Sequence, residues 1–172
     1  MICCEYAKDA DRISAVLPKR LSRFKLKLNK DKTKIIVFNR FEKENSKSFD
    51  FLGFTFYLGL TKRGRVVPKV KSCGKKLRSK LTRVNEWCKA NRHTYPLQEL
   101  WKSFCRKLRG HVQYYGISFN YKAVQGFIFK SEKIFFKWIN RRSQRKSMTF
   151  DKFALFLLKF PPPKTKIYHR LF

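Results

Sequence analysis

The chain has 172 residues, of which 43% are hydrophobic and 16% aromatic, enough to form the core of one domain or two small ones. Its 42 lysines and arginines face only 11 aspartates and glutamates, which gives a formal net charge of +31. Such self-repulsion argues against an enzyme of small neutral molecules and indicates a polyanionic partner, most simply nucleic acid.

The apolar and cysteine patterns argue against membrane segments and bound metals. Apolar runs such as residues 154–158 are too short to span a membrane, and residues 1–6 lack the features of a signal peptide. The five cysteines show no Cys-x-x-Cys spacing, which argues against a disulfide framework and a zinc site. We therefore expect reduced thiols in a cytoplasmic protein that has no membrane partner and no cofactor.

The charge is unevenly distributed along the chain. Residues 1–53 contain 13 basic and 7 acidic side chains, a net charge of +6, whereas residues 54–172 contain 29 and 4, a net charge of +25. We therefore expect the polyanion to bind mainly to the second part.

The first part has a mixed α/β pattern. A helical spacing of apolar residues appears at Ile13, Val16, Leu17, Leu21 and Phe24. Pro18 marks a kink or a new first turn of this helix. Strands are predicted for residues 32–38, 51–57 and 66–70, with a hairpin turn at residues 62–65.

The second part has the pattern of three long amphipathic helices and a shorter one. The apolar stripe of the first helix consists of Leu77, Leu81, Val84, Trp87 and Cys88. Pro96 begins the second helix and Asn120 is the predicted N-cap of the third, while the fourth covers about residues 149–159 and ends before three prolines. These elements predict an α+β fold, with a helix and antiparallel strands in residues 1–70 and a three-helix bundle with a short tail in residues 71–172.

Four segments together resemble one protein family. Residues 32–34 (Lys-Thr-Lys) open a predicted strand, and residues 49–54 (Phe-Asp-Phe-Leu-Gly-Phe) follow. Residues 108–116 and 140–147 carry the strings Leu-Arg-Gly-His-Val-Gln-Tyr-Tyr-Gly and Asn-Arg-Arg-Ser-Gln-Arg-Lys-Ser. In this order they resemble the end of the palm and the thumb, or maturase-specific domain, of group II intron reverse transcriptases. The resemblance covers essentially the whole chain and implies a palm remnant in residues 1–70 and a thumb in residues 71–172.

The same resemblance implies that the catalytic half is missing. In that family a Tyr-Ala-Asp-Asp turn supplies two of the metal-binding carboxylates, and residues 2–6 resemble the strand that leaves this turn. Asp9 and Asp11 offer no substitute because they point to different faces of a helix, and Asp31 and Asp50 are isolated acids in turn-like contexts. We therefore expect no catalytic residue, no metal, no endonuclease segment and no polymerase activity from this chain alone.

The resemblance assigns nucleic-acid contacts to the predicted palm. Lys32 occupies the position of a lysine that lies near the phosphates of the incoming nucleotide. Phe51, Leu52 and Gly53 match the primer grip, where a glycine allows a nucleic-acid strand to approach the backbone. In an ordinary strand Gly53 would instead mark a bulge or bend.

The segment around residues 108–116 gives the densest set of candidates. Five residues there combine charge with aromatic or polar groups that suit phosphates, sugars and bases: Arg106, Arg109, His111, Gln113 and Tyr114. A purely structural reading places Tyr115 in the core and gives Gly110 a helix-packing role. His111 has no second ligand at a suitable spacing, so it is not predicted to bind a metal.

Two basic runs complete the predicted interface. The first lies on the first helix of the bundle and contains Lys75, Lys76, Arg78, Lys80 and Arg83. The second follows the third helix and contains Arg141, Arg142, Arg145 and Lys146. Such runs are often solvated helix faces, but the net charge of the second part favours phosphate contacts.

The sequence thus predicts an RNA-binding module. The resemblance implies that the thumb binds structured intron RNA, assists its folding for splicing, and contacts an RNA–DNA duplex during reverse transcription. Two other functions stay open: one half of a split RNA-directed DNA polymerase, completed by a separate polypeptide with the fingers and catalytic palm, or an inert remnant of a broken gene.

Overall fold

The computed structural model describes residues 1–39, 41, 47–142 and 148–171. These residues form five α-helices, one 3-10 turn and a three-stranded antiparallel sheet, which confirms the predicted α+β class. The chain divides into two compact units, Met1–Lys47 and Ser48–Phe172. The division predicted between residues 70 and 71 falls instead inside a strand of the second unit, Val66–Ser72.

The first unit contains helix α1, Ala7–Ser22, and a 3-10 turn at Lys30–Lys32. The apolar spacing predicted α1, and Pro18 lies within it. The strand predicted for residues 32–38 is wrong, because residues 33–39 form no strand and the side chains of Ile35 and Val37 are exposed. Strand propensity needs a neighbouring strand to pair and pack with, and this unit has no strand among its described residues.

The second unit begins with the sheet. Strands β1 (Phe49–Phe51), β2 (Phe54–Leu60) and β3 (Val66–Ser72) lie in that order and pair antiparallel. The single strand predicted for residues 51–57 is therefore two strands. Leu52 and Gly53, with φ values of +49° and +83°, form the tight turn between them. A two-residue hairpin loop of type I′ needs positive φ at both positions, and Leu52 gave no sequence signal for this.

The hairpin between β2 and β3 was predicted correctly. The Thr61 N–H donates to the Arg65 carbonyl over 2.8 Å, and Gly64 adopts a φ of +74°. The predicted turn at residues 62–65 and the predicted strand at residues 66–70 are both confirmed.

Four helices follow, and all four were predicted. They are α2 (Gly74–Asn91), α3 (Leu97–Tyr115), α4 (Tyr121–Ile139) and α5 (Phe150–Lys159). The core is rich in aromatic residues and lies between α2, α3, α4 and α5, where the ring of Trp101 packs edge-on against Phe135 at 4.9 Å between centroids. Lys and Arg side chains lie mainly on the outer faces of these helices, and the apolar stripes face inward.

Asn120 is the N-cap residue of α4, as predicted, but its side chain makes no capping hydrogen bond. Its Oδ1 accepts a hydrogen bond from the Ser72 backbone N–H, and its Nδ2 donates to the Tyr115 carbonyl, each over 2.8 Å. The side chain is 1% exposed. It therefore joins the end of β3 to the end of α3, which satisfies backbone groups that would otherwise be buried without partners.

The tail after α5 returns to both ends of α3. The Phe160 carbonyl accepts a hydrogen bond from Trp101 Nε1 over 2.9 Å, and the backbone N–H of Tyr168 donates to the Gly116 carbonyl over 2.6 Å. A Cβ on Gly116 would overlap the carbonyl oxygens of Lys166 and Val112. Glycine is therefore required where the tail meets α3.

Two expectations about thiols and membranes can be compared with the structure. Cys3 and Cys4 are exposed, Cys73, Cys88 and Cys105 are buried, and all five are free thiols. No helix in the described ranges combines the length and apolar character needed to cross a membrane.

Candidate nucleic-acid interface

The turn between β1 and β2 lies against the end of α3. Tyr114 Oη donates a hydrogen bond to the Leu52 carbonyl over 2.8 Å, and the Tyr114 ring stacks on Phe54 with 5.6 Å between centroids. The structure therefore brings together three residues predicted from separate segments, namely Leu52, Gly53 and Tyr114.

Lys80 on α2 joins this group through cation–π contacts. Its Nζ lies 4.2 Å from the ring centroid of Tyr115 and 5.7 Å from that of Tyr114. Burial lowers the pKa of Lys80, and the neighbouring charge of Arg83 lowers it further. The rings attract the ammonium group and hold it at the surface between α2 and α3.

Gly53 is explained by contacts within the protein. Its φ of +83° suits glycine, and a Cβ there would lie 2.6 Å from Tyr115 Oη. Tyr115 is 4% exposed, as the structural reading of this segment expected. Gly110, by contrast, packs closely against nothing, since a Cβ there would meet no atom within 4 Å.

Helix α3 presents a polar stripe to solvent. Arg106, Arg109 and Gln113 are exposed and follow one another at spacings of three and four residues, so they share one face. Lys102 extends the stripe by one turn and was missed, although the same spacing predicts it. Three cations and an amide thus lie along about 16 Å of helix.

His111 is not on that surface. It is 6% exposed and lies between the rings of Phe127 and Tyr115, at centroid distances of 3.7 and 4.6 Å. Burial and, to a smaller extent, the charge of Lys80 lower its pKa to about 3. His111 is therefore a neutral core residue. It belongs to the buried face of α3, together with Phe104, Leu108 and Tyr115.

A pocket of about 340 Å³ opens between α2 and α3. Lys80 and Arg83 line it from α2, and Lys107 and His111 line it from α3. The pocket residue Trp87 was not among the predicted contacts. The Nζ of Lys107 lies 5.2 Å from the Trp87 ring, a contact between two helices that local sequence patterns do not reveal.

The basic run on α2 begins at its amino end. Lys75, Lys76 and Arg78 are exposed in the first turns of the helix, which has no acidic residue in its first turn. Cations are unfavourable beside the positive end of the helix dipole. Helix stability therefore does not explain the position of these three cations. A phosphate at the amino end of α2 would be attracted both by the cations and by the positive end of the helix dipole.

A second basic group surrounds Trp138 near the carboxyl end of α4. The guanidinium carbons of Arg92 and Arg141 lie 5.4 and 5.2 Å from the Trp138 ring centroid. Arg142 donates a hydrogen bond to the Tyr95 carbonyl over 2.7 Å. Arg92 was not among the contacts predicted from the sequence. The predicted contacts Arg145 and Lys146 lie outside the described residues.

The remaining predicted contacts lie in the first unit and in the sheet. Lys32 is exposed in the 3-10 turn, where the Asn29 side chain accepts a hydrogen bond from its backbone N–H over 3.1 Å. Phe51 is partly buried at the end of β1.

Acidic partners for the cations are scarce. In residues 1–39, 41, 47–142 and 148–171, one ion pair forms within 4.0 Å, between Arg12 and Asp9 of the first unit at 3.9 Å. The same residues contain no group of three His, Cys, Asp or Glu side chains placed to hold a metal ion. The described cations of the second unit therefore have no carboxylate ion-pair partner among the described residues.

No protein-family model matches this chain, and neither a curated protein nor a solved structure matches it.

Proposed function

We propose that this chain binds structured RNA, as the RNA-binding piece of a protein of the group II intron reverse transcriptase kind. In this proposal the sheet belongs to the end of the palm, the helices α2–α4 form the thumb, and binding assists the folding of the intron RNA for splicing. The catalytic carboxylates belong to a part of such a protein that this chain does not contain, so the chain alone does not polymerise.

The observation that supports the proposal best is the excess of unpaired positive charge on α2 and α3. Residues 54–172 carry 29 basic and 4 acidic side chains, and in the described part of that region none forms an ion pair. Phosphates would neutralise these cations and release the counterions that surround RNA, which is the main source of binding free energy in such complexes.

The arrangement favours recognition of shape over sequence. Lys76, Lys80 and Arg83 recur on α2 at spacings of four and three residues, and the stripe of Lys102, Arg106 and Arg109 recurs likewise on α3. Rows of cations on neighbouring helices suit the phosphates and 2′-hydroxyls of an A-form duplex, whose bases are poorly accessible to side chains.

A salt titration tests the proposal. Binding to a folded group II intron RNA and to an unrelated folded RNA of equal length is measured between about 50 and 200 mM salt. We expect affinity to fall on the order of 10³-fold over that range if six or more phosphates are contacted. A preference for the intron RNA should remain at the higher salt concentration.

A charge variant locates the surface. The double variant Arg106→Gln/Arg109→Gln should reduce the slope of log affinity against log salt by about 1.5, since each lost phosphate contact removes slightly less than one unit. Lys130→Gln/Lys152→Gln removes the same charge from exposed positions outside the interface and should change the slope less. Equal affinity for both RNAs at the higher salt concentration, or no binding at low salt, would contradict the proposal.

One observation favours the split-polymerase alternative. The first unit exposes large apolar side chains, among them Phe24 (70%), Leu26 (57%) and Val37 (58%), and α1 contains no buried residue. A separate polypeptide with the fingers and the catalytic palm would cover such a surface. Co-expression with that half should then restore primer extension on an RNA template, and no extension from the mixture would exclude this alternative.

A further inference from the structure

The pocket between α2 and α3 has an aromatic and apolar lining. Trp87, Phe104, Leu108 and Phe127 contribute to its walls. Its volume of about 340 Å³ lies at the lower end of the range for small-ligand sites. Such a lining favours a flat ring system, which can stack on or pack edge-on against the aromatic side chains.

Every charged residue that lines the pocket is positive. Lys80 and Arg83 approach from α2 and Lys107 from α3, and no acidic residue is among the described lining residues. Lys80 and Lys107 are held beside the rings of Tyr115 and Trp87 at 4.2 and 5.2 Å. The ligand is therefore expected to carry negative charge next to its flat apolar part.

His111 adds a polar group to the pocket wall. In the described part of the chain, neither of its ring nitrogens has a hydrogen-bond partner, although both are buried. A neutral imidazole offers one N–H donor and one acceptor nitrogen, and burying such groups unpaired is unfavourable. A ligand edge with donors and acceptors would relieve this cost on reaching these nitrogens.

We propose that this pocket receives a single unpaired nucleobase of the bound RNA, with the adjoining phosphates on Lys80, Arg83 and Lys107. Bases of unpaired nucleotides can leave the helix and stack on aromatic side chains, and they alone combine a flat ring, a polar edge and an attached phosphate in RNA. This inference rests on the proposed RNA binding and adds the class of nucleotide that the site selects.

Three RNA hairpins of one sequence test the inference. The first carries a one-nucleotide bulge, the second an abasic residue at the bulge, and the third is fully paired. Binding is measured by fluorescence anisotropy at about 100 mM salt, where phosphate contacts are weakened without being abolished. We expect the bulged hairpin to bind about tenfold more tightly than the other two, because one stacked base contributes that much.

Gly110 provides a variant that fills the pocket without removing a cation. It lines the pocket, and a Cβ added there meets no atom within 4 Å. Gly110→Leu should abolish the preference for the bulged hairpin while keeping the affinity for the paired hairpin within about twofold, because the phosphate contacts are unchanged. Gly110→Ala is the matched control and should keep the preference, and circular dichroism checks that both variants fold.

The outcomes separate this inference from the function on which it rests. Equal binding of the bulged and abasic hairpins by the unaltered protein would refute the base pocket but leave RNA binding intact. A preference that persists in Gly110→Leu would refute its location between α2 and α3. Failure to bind any of the three hairpins at low salt would refute the proposed function itself.

Discussion

His111 makes the stability of the second unit depend on pH. Its buried, unpaired ring has a pKa of about 3 in the folded protein, whereas a histidine in an unfolded chain has a pKa of about 6.5. Between these two values the unfolded chain binds a proton that the folded chain does not. Stability is therefore complete at neutral and higher pH and is lost progressively as the pH falls below about 6.5.

The magnitude follows from the difference between the two pKa values. A pH of 5 lies about 1.5 units below the pKa of the unfolded histidine, and each unit corresponds to about 1.36 kcal/mol. This residue alone therefore lowers the free energy of unfolding by about 2 kcal/mol at pH 5 relative to pH 8. A typical domain has a total stability of about 5–15 kcal/mol, so the loss is readily measured.

Urea unfolding at pH 8 and pH 5, followed by circular dichroism, measures the effect. The protein should lose about 2 kcal/mol more on acidification than the variant His111→Phe, which keeps the stacked ring and cannot be protonated. At pH 8 the same variant should be equally stable or more stable by about 1 kcal/mol, because two unpaired nitrogens are removed. Identical acid destabilisation of the protein and His111→Phe would refute the reasoning.

Three other predictions concern the remaining buried groups. Asn120→Ala should lower the free energy of unfolding by about 2–4 kcal/mol in urea titrations, because it leaves the Ser72 N–H and the Tyr115 carbonyl without their hydrogen bonds. Ser72→Ala keeps both of these bonds and should lower the free energy of unfolding by less. An equal decrease in the two variants would contradict this account. Gly116→Ala should destabilise by about 1–3 kcal/mol through overlap with the tail, whereas Gly126→Ala, inside α4 with open space around its Cβ, should stabilise by about 0.5–1 kcal/mol. In thiol titration of the folded protein, exposed Cys3 and Cys4 should react rapidly, while burial raises the pKa of Cys88 to about 12 and that of Cys105 to about 11 and so slows their reaction. More than two rapidly reacting thiols would show that the core opens.

The helices were predictable because their boundaries and periodicity are local. Apolar residues at spacings of three and four place one face of α2, α3 and α5 against the core. The sheet was less predictable, since the strand-like run at residues 32–38 forms no strand and the turn at Leu52 lacks a typical turn residue in its first position. Strand formation depends on pairing with distant segments, which a single local pattern does not reveal.

In the candidate site, too, the features set by local helical spacing were predictable and those set by distant contacts were not. Helical spacing predicts the exposed stripe of Arg106 and Arg109. The same spacing places His111 with Phe104 and Leu108 on the buried face of α3. His111 was nevertheless predicted as a contact, because its segment resembles a binding segment. The N-cap position of Asn120 was predicted, but the hydrogen bonds of its side chain were not, because its partner Ser72 lies 48 residues away. The pocket requires two helices at once, so neither sequence segment alone indicates it.

The tail has little spare length. From Trp101 to Gly116, α3 rises about 22 Å at 1.5 Å per residue. The eight steps from Phe160 to Tyr168, which bond to these two residues, reach at most about 26–29 Å when fully extended. Deleting two residues from this stretch would shorten its maximum reach to about 20–22 Å, which leaves no slack over the axial rise of α3 between Trp101 and Gly116. The three prolines at residues 161–163 suit a taut segment of this kind, because their fixed φ holds the chain extended while it runs beside α3.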